Sequence, residues 1–292
     1  MNKIGLLFPG QGSQYAGMGK DLYNKFSAAK KIMDDANEIL EFDIRRMIFD
    51  GTNEDILPTQ IAQPAIFIVS AMYFEKFKQM EKSFDVVAGH SLGEYTALYA
   101  AGVLSFEDCL RLVRKRGLAM GKQNSLGTMF AVMGVDIQKI KKYLEGLEQK
   151  VVIANINSKT QIVISGYIDE IKKVSEELSQ IEGSKVKQLN VSGAFHSPLM
   201  KEVKEIMSKE IDSVNFREPE SAIIPNVLGY ATRELITIRE SLKEQITEKV
   251  RWLDTIMHIK SMGIEQLYEI GPGEVLSKLN KTITFRPKCN IL

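Results

Sequence analysis

Cysteine is nearly missing from the chain. Cys109 and Cys289 are the only two, far apart and outside any metal-ligand spacing, so they supply neither a disulfide framework nor a zinc site. They read as inert packing residues of a protein kept in a reducing cytoplasm. Histidine is almost as scarce, at three residues, which leaves few candidates for a general base. Neither sign of charge is in excess, since 38 Lys and Arg face 37 Asp and Glu across 292 residues. That balance gives no global pull toward nucleic acid or an anionic membrane. No window approaches the roughly eighteen apolar residues that cross a bilayer. The apolar run opening MNKIGLLFPGQG stops at a glycine-rich turn, too early for a secretory signal. What is present, 44% hydrophobic and 26% charged residues, is ordinary for a soluble globular protein. The length suits one large domain with an inserted lobe, or two modest domains.

Short apolar runs at Ile4–Phe8 and Val86–Ala88 each end at glycine or proline, and helical periodicity follows each of them. Ser105-Phe106-Glu107-Asp108 is a capping-box start for a helix reaching about Gly121. Strands alternating with helices predict an α/β class with a mainly parallel sheet. The middle of the chain changes rhythm. Strand patterns at Met129–Val135, Val151–Asn155, Gln161–Ser165 and Lys185–Val191, with helices at Ile137–Leu147 and Ile168–Ile181, give the order βαββαβ. That order belongs to a ferredoxin-like unit. The expected organisation is a large domain from residues 1–125 and 193–292, with an inserted lobe at 126–192.

Gly89-His90-Ser91-Leu92-Gly93 matches G-x-S-x-G between a predicted strand and a predicted helix, the setting of a nucleophile elbow. So tight a turn needs small residues on both sides of Ser91. The helix after it points its positive end at the hydroxyl. Gly10-Gln11-Gly12-Ser13-Gln14 follows the first strand but lacks the third glycine of a dinucleotide loop, because Tyr15 stands there. The Gln11 and Leu92 N–H groups are therefore read as an oxyanion hole, the two-donor arrangement that acyl transfer needs. His90 adjoins Ser91 and points away from its hydroxyl, and His258 lies within the periodic helix Trp252–Met262. Elimination leaves His196, ahead of Ser197-Pro198, as either the base or a satisfied structural histidine. On the helix after Ser105, Arg111 and Lys115 face water, while Arg114 and Arg116 both flank the apolar stripe Phe106, Leu110, Val113, Gly117 and Met120. Periodicity does not choose between these two arginines.

Taken together, Phe8-Pro9-Gly10-Gln11-Gly12-Ser13-Gln14, Gly89-His90-Ser91-Leu92-Gly93-Glu94-Tyr95, Arg116-Gly117, Ala154-Asn155 with Val163-Ile164-Ser165-Gly166, Gly193-Ala194-Phe195-His196-Ser197 and Val250-Arg251-Trp252 span nearly the whole chain in order. In these motifs the sequence resembles the acyltransferase family of fatty acid and polyketide synthesis, malonyl-CoA:acyl carrier protein transacylases among them. The resemblance implies an α/β-hydrolase-like domain carrying a ferredoxin-like insert. It implies Ser91 as nucleophile, His196 as base, and Arg116 as the partner of the malonyl carboxylate. A main-chain carbonyl near Arg251 would orient His196, because an arginine side chain has no acceptor. Phe195 resembles the malonyl-type pattern, in which an aromatic ring crowds a 2-methyl branch. Asn155 lines the cleft or simply ends a strand.

The implied reaction moves malonyl from malonyl-CoA to the phosphopantetheine thiol of acyl carrier protein. It needs no metal and no cofactor, and a cytoplasmic monomer is expected. An acyl hydrolase on the same scaffold is the alternative that Arg116 argues against. A stand-alone polyketide acyltransferase would use the same residues.

Overall fold

The computed structural model describes residues 3–122, 126–147 and 150–283, and the backbone of 288–291. Its strands are β1 (Ile4–Phe8), β2 (Val86–Gly89), β3 (Gly127–Met133), β4 (Val151–Ser158), β5 (Gln161–Tyr167), β6 (Lys185–Gln188), β7 (Ala222–Ile224), β8 (Gln266–Glu269) and β9 (Lys288–Ile291). They form two sheets. The larger is parallel, in the order β7-β2-β1-β8-β9, and the smaller is antiparallel, in the order β4-β5-β3-β6.

The parallel sheet is apolar on both faces because helices cover both. Along β1 the side chains alternate. Leu6 and Phe8 enter the core shared with helices Thr59–Lys78, Gly93–Ala100 and Phe106–Gly121, whereas Leu7 enters the core of Trp252, Ile256 and Leu276. The smaller sheet has its own core of Val132, Ile140, Val151, Ile162, Ile164, Ile171 and Leu178. The strand order, with the first and third strands of the unit central, is that of a ferredoxin-like βαββαβ unit. The fold class expected from periodicity is the one observed. Strand β4 of the smaller sheet is also joined at the backbone to the segment ahead of helix Trp252–Ser261. Ile156 N–H donates to Val250 O at 2.9 Å, and Val250 N–H donates to Ala154 O at 2.8 Å.

Most element ends fall within three residues of the sequence pattern. Helix Thr59–Lys78 begins directly after Pro58 and carries Pro64 in its second turn. Pro64 has no N–H, so the Gln60 carbonyl four residues earlier loses its helical partner. Arg114 Nη1 takes that carbonyl at 2.7 Å, and its guanidinium lies 4.9 Å from the centre of the Phe42 ring. Arg114 is thereby committed to structure. Ser105 caps helix Phe106–Gly121 as expected, its hydroxyl accepting from Asp108 N–H at 3.0 Å.

Candidate active site

The site lies at the carboxyl ends of β1 and β2, where loops leave an open parallel sheet. Sterics fix the turn after β2. A methyl group on Gly89 would sit 1.9 Å from the Gly93 carbonyl carbon, and one on Gly93 would sit 2.1 Å from Phe8 O. Both positions therefore exclude any side chain. Ser91 itself has φ 52°, a left-handed conformation that costs a non-glycine residue about 1–3 kcal/mol. Asn226, just beyond β7, holds it there. Asn226 Oδ1 accepts from Ser91 N–H at 2.7 Å, and Asn226 Nδ2 donates to Gly89 O at 2.6 Å.

The turn after β1 rests against this elbow. A methyl on Gly10 would approach His90 O to 2.3 Å and Leu92 N to 3.7 Å. Among the described residues, the N–H groups of Gln11 and Leu92 have no acceptor. The Gln11 side chain is turned aside, its Nε2 donating to Thr59 Oγ1 at 3.3 Å. Two adjacent backbone donors left open beside a serine hydroxyl can receive a carbonyl oxygen that becomes negative.

His196 Nε2 lies 2.8 Å from Ser91 Oγ. Its Nδ1 faces two carbonyl oxygens, Gln245 O at 2.8 Å and Glu248 O at 3.1 Å. Carbonyls only accept, so Nδ1 carries the proton and Nε2 offers its lone pair to the serine. The main-chain carbonyl expected near Arg251 is thus a pair, six and three residues before it in the chain. The reason is local. Gln245 is the C-cap of helix Leu235–Glu244, and the final carbonyls of a helix have no intrahelical donor. The main chain around Arg251 is already engaged: Val250 O binds Ile156, and Arg251 O accepts from Thr255 N–H. A helix C-terminus is also the negative end of its dipole, which favours positive charge on an imidazole placed there.

Arg116 is 1% exposed. Its Nη2 donates to Ser91 Oγ at 3.1 Å and to Gln245 Oε1 at 3.1 Å, while Nε is buried without a partner. Its guanidinium lies 5.7 Å from the centre of the Tyr95 ring. The structure therefore separates the two arginines that periodicity could not: Arg114 binds the backbone, and Arg116 reaches the serine with donor capacity to spare. Burial and the Arg116 charge push the His196 pKa down to about 3, against the raising effect of the Gln245 carbonyl. A depressed value keeps the imidazole neutral, and so able to act as a base, well below the usual histidine range. With an uncharged fluorophosphonate, Ser91 labelling should therefore stay flat from about pH 8 down to about pH 5. A decline centred near the ordinary value of about 6.5 would contradict that environment.

Serine, imidazole and guanidinium face a cleft of about 440 Å³ between the two sheets, lined also by Gln11, Asn155, Met129 and Phe195. Asn155 thus lines the cleft. His90 is half-buried and also lines the cleft, but its Nε2 lies 3.0 Å from Asn157 Oδ1 and its ring 5.4 Å from that of Trp252, engaged away from the Ser91 hydroxyl. His258 is a half-buried helix residue. Cys109 is buried, with burial pushing its thiol pKa well up, as suits inert packing. The side chain of Cys289 lies outside the described residues. Among the described residues no three His, Cys, Asp or Glu side chains are grouped to hold a metal, and no helix is long and apolar enough to cross a membrane.

Sequence reasoning assigned no role to Asn226, Gln245 or Glu94. Only Glu94 left a signal. It is the one charge in Gly93–Ala100, a helix with no polar face, so it can only be buried. It accepts from Gln245 Nε2 at 2.8 Å and from Asn226 N–H at 3.0 Å. Burial raises its pKa to about 7, against the lowering effects of those two donors and of Arg116.

Comparison with known proteins agrees with this geometry. Residues 6–283 match the acyl transferase domain family. A malonyl CoA-acyl carrier protein transacylase of Bacillus subtilis (strain 168) is 40% identical, with 99% of this chain and 92% of the relative covered. The polyketide biosynthesis malonyl CoA-acyl carrier protein transacylase PksC of the same strain is 41% identical, over 94% of this chain and 95% of its own. A malonyl-transacylase solved in complex with a type II PKS acyl-carrier protein superposes with a TM-score of 0.94 at 31% identity, covering 99% of this chain and 96% of that one. With the match running nearly end to end in sequence and in three dimensions, the chain belongs to the acyl transferase domain family.

Proposed function

We propose that the protein transfers a malonyl group from malonyl-CoA to the phosphopantetheine thiol of an acyl carrier protein through a malonyl ester on Ser91. The observation that carries this reading is the meeting of three groups at one atom. Ser91 Oγ has His196 Nε2 at 2.8 Å and Arg116 Nη2 at 3.1 Å. In the first half-reaction His196 takes the Ser91 proton as Oγ attacks the thioester carbonyl. The oxygen that becomes negative rests on the Gln11 and Leu92 N–H groups. The C–S bond then breaks, His196 returns the proton to the departing sulfur, and coenzyme A leaves. In the second, His196 deprotonates the carrier thiol, which attacks the ester and frees Ser91 with its proton restored. Two thiols using one site in turn predict ping-pong kinetics.

Arg116 receives the distal carboxylate, for which a planar guanidinium offers paired donors. Phe195, 6% exposed on the cleft wall, crowds a 2-methyl branch, a discrimination worth about 1–3 kcal/mol. No step calls for a cofactor, since a thioester is already activated toward a serine alkoxide. We read the lobe at 126–192 as one wall of the cleft and the remainder as the catalytic domain. We also read the protein as a cytoplasmic monomer supplying fatty acid synthesis. A relative named simply as a malonyl CoA-acyl carrier protein transacylase and one named for polyketide biosynthesis match about equally, so transfer rates to fatty acid and polyketide carrier proteins decide the pathway.

Incubation with malonyl-CoA labelled in the malonyl group should leave the label on Ser91, located by peptide mass spectrometry. The label should move to added carrier protein rather than to water. Folded, active protein that carries none would defeat the covalent route, and release to water alone would favour a hydrolase.

A further inference from the structure

The carboxylate buried behind the elbow takes no part in either half-reaction, yet it ends the hydrogen-bond chain that reaches Arg116. We propose that Glu94 is a positioning residue for the acyl-carboxylate clamp. It fixes the Gln245 side-chain amide in the one orientation that turns Oε1 toward Arg116, and through that amide it aims the guanidinium at the substrate's free carboxylate. The assignment rests on malonyl transfer as proposed above.

The argument begins with donor and acceptor arithmetic. Glu94 Oε2 already accepts from Asn226 N–H and so acts as an acceptor, and a guanidinium only donates. The Gln245 amide stands between one of each. Its Nε2 must therefore face Glu94 Oε2, at 2.8 Å, and its Oε1 must face Arg116 Nη2, at 3.1 Å. The second Nε2 hydrogen goes to Ser91 O at 3.0 Å. Reversing the amide would set Oε1 against both Glu94 Oε2 and Ser91 O, and Nε2 against a cation. The Ser91 carbonyl alone resists that, and the charged acceptor resists it more strongly. Glu94 is anchored in turn by Asn226 N–H, the same residue that holds the Ser91 turn. A glutamine oxygen in place of the carboxylate can still accept that N–H, so the anchor at the Ser91 turn does not depend on the charge, whereas the hold on the amide facing Arg116 does.

Placing an amide between the two charges has a chemical consequence. Glu94 and Arg116 are each 1% exposed, and a buried arginine needs a compensating charge. A direct ion pair would supply it, but Glu94 would then occupy the donors that an incoming carboxylate needs. With Gln245 interposed, the countercharge is kept and Arg116 Nε remains unpartnered. The arrangement holds the guanidinium charged, oriented and open.

The test compares Glu94→Gln with wild type on two reagents, malonyl-CoA and an uncharged fluorophosphonate, which reacts at Ser91 but has no carboxylate for Arg116 to bind. The carboxamide removes the charge and weakens the hold on the Gln245 amide, which only Ser91 O and the Arg116 cation then orient. The expected result is a loss of about tenfold in kcat/KM for malonyl-CoA, mainly through KM, with fluorophosphonate labelling within about twofold of wild type. In an Arg116→Ala background the same change should cost nothing further, because the residue it positions is gone. Equal losses on both reagents, no loss on either, or additive losses in the double variant would overturn the proposal. Should Glu94→Gln fail to fold, Glu94→Asp keeps the charge and withdraws it by one methylene. It should show the same malonyl-selective loss, and an unselective one counts against the assignment. Wild-type protein inert toward malonyl-CoA would strike down the functional reading as well, whereas active wild type with an indifferent Glu94→Gln strikes only this one.

Discussion

Replacing His196 with alanine should slow formation of the acyl-Ser91 ester by about 10²–10⁴-fold, the usual contribution of a positioned general base. The measurement is the first burst of coenzyme A release, before any carrier protein is added. The size of the effect follows from geometry already in place. Nε2 stands at hydrogen-bond distance from Oγ, and Nδ1–H is held by carbonyls at a helix C-terminus. Neither contact must be assembled during the reaction, so the loss falls on the chemical step and not on substrate binding. A loss below about tenfold would mean that serine activation comes from elsewhere, and it would remove His196 from the role of base. The left-handed backbone of His196, φ 55°, shows how tightly this imidazole is placed, since few side chains are held in that region.

Arg116→Ala should lower kcat/KM for malonyl-CoA by about 10²–10³-fold while leaving acetyl-CoA within about threefold, so that preference between the two donors collapses or inverts. Truncating one partner of a buried, hydrogen-bonded charge pair typically costs 2–5 kcal/mol, because the other charge is left desolvated and unpaired. Acetyl has no such charge and loses nothing from the missing guanidinium. Two secondary effects point the same way. The Ser91 hydroxyl loses a donor at 3.1 Å and relies on His196 alone, and His196 is freed from a neighbouring cation that holds its pKa down. A neutral acyl donor therefore meets a slightly more basic imidazole. Unchanged malonyl selectivity in this variant would refute the clamp.

Much of the site was legible before any coordinates. Ser91 could be read because its neighbours within two residues carry the steric signature of the turn, and those contacts are local to the chain. The parallel and antiparallel sheets could be read because side-chain period and strand length are written along each segment. Arg116 against Arg114 could not be read from the helix itself. Both flank one stripe, and the choice depends on Pro64 freeing a carbonyl on a different helix for Arg114 to take. The orienting carbonyls of Gln245 and Glu248 were also hidden, because every residue carries a carbonyl and only the way a helix ends decides which are free.

By itself, then, the sequence determined the class of fold, the elbow with its serine, and the short list from which base and cation came. These rest on sterics and periodicity acting over a few residues. Tertiary structure alone decided how Asn226, Gln245 and Glu94 enclose that serine, across separations of 135, 154 and 151 residues for the Asn226–Ser91, Gln245–Ser91 and Gln245–Glu94 bonds. The physical reason is that a polar side chain gives no sign of its partner. Whether it is satisfied is settled only when packing brings a donor and an acceptor out of water together.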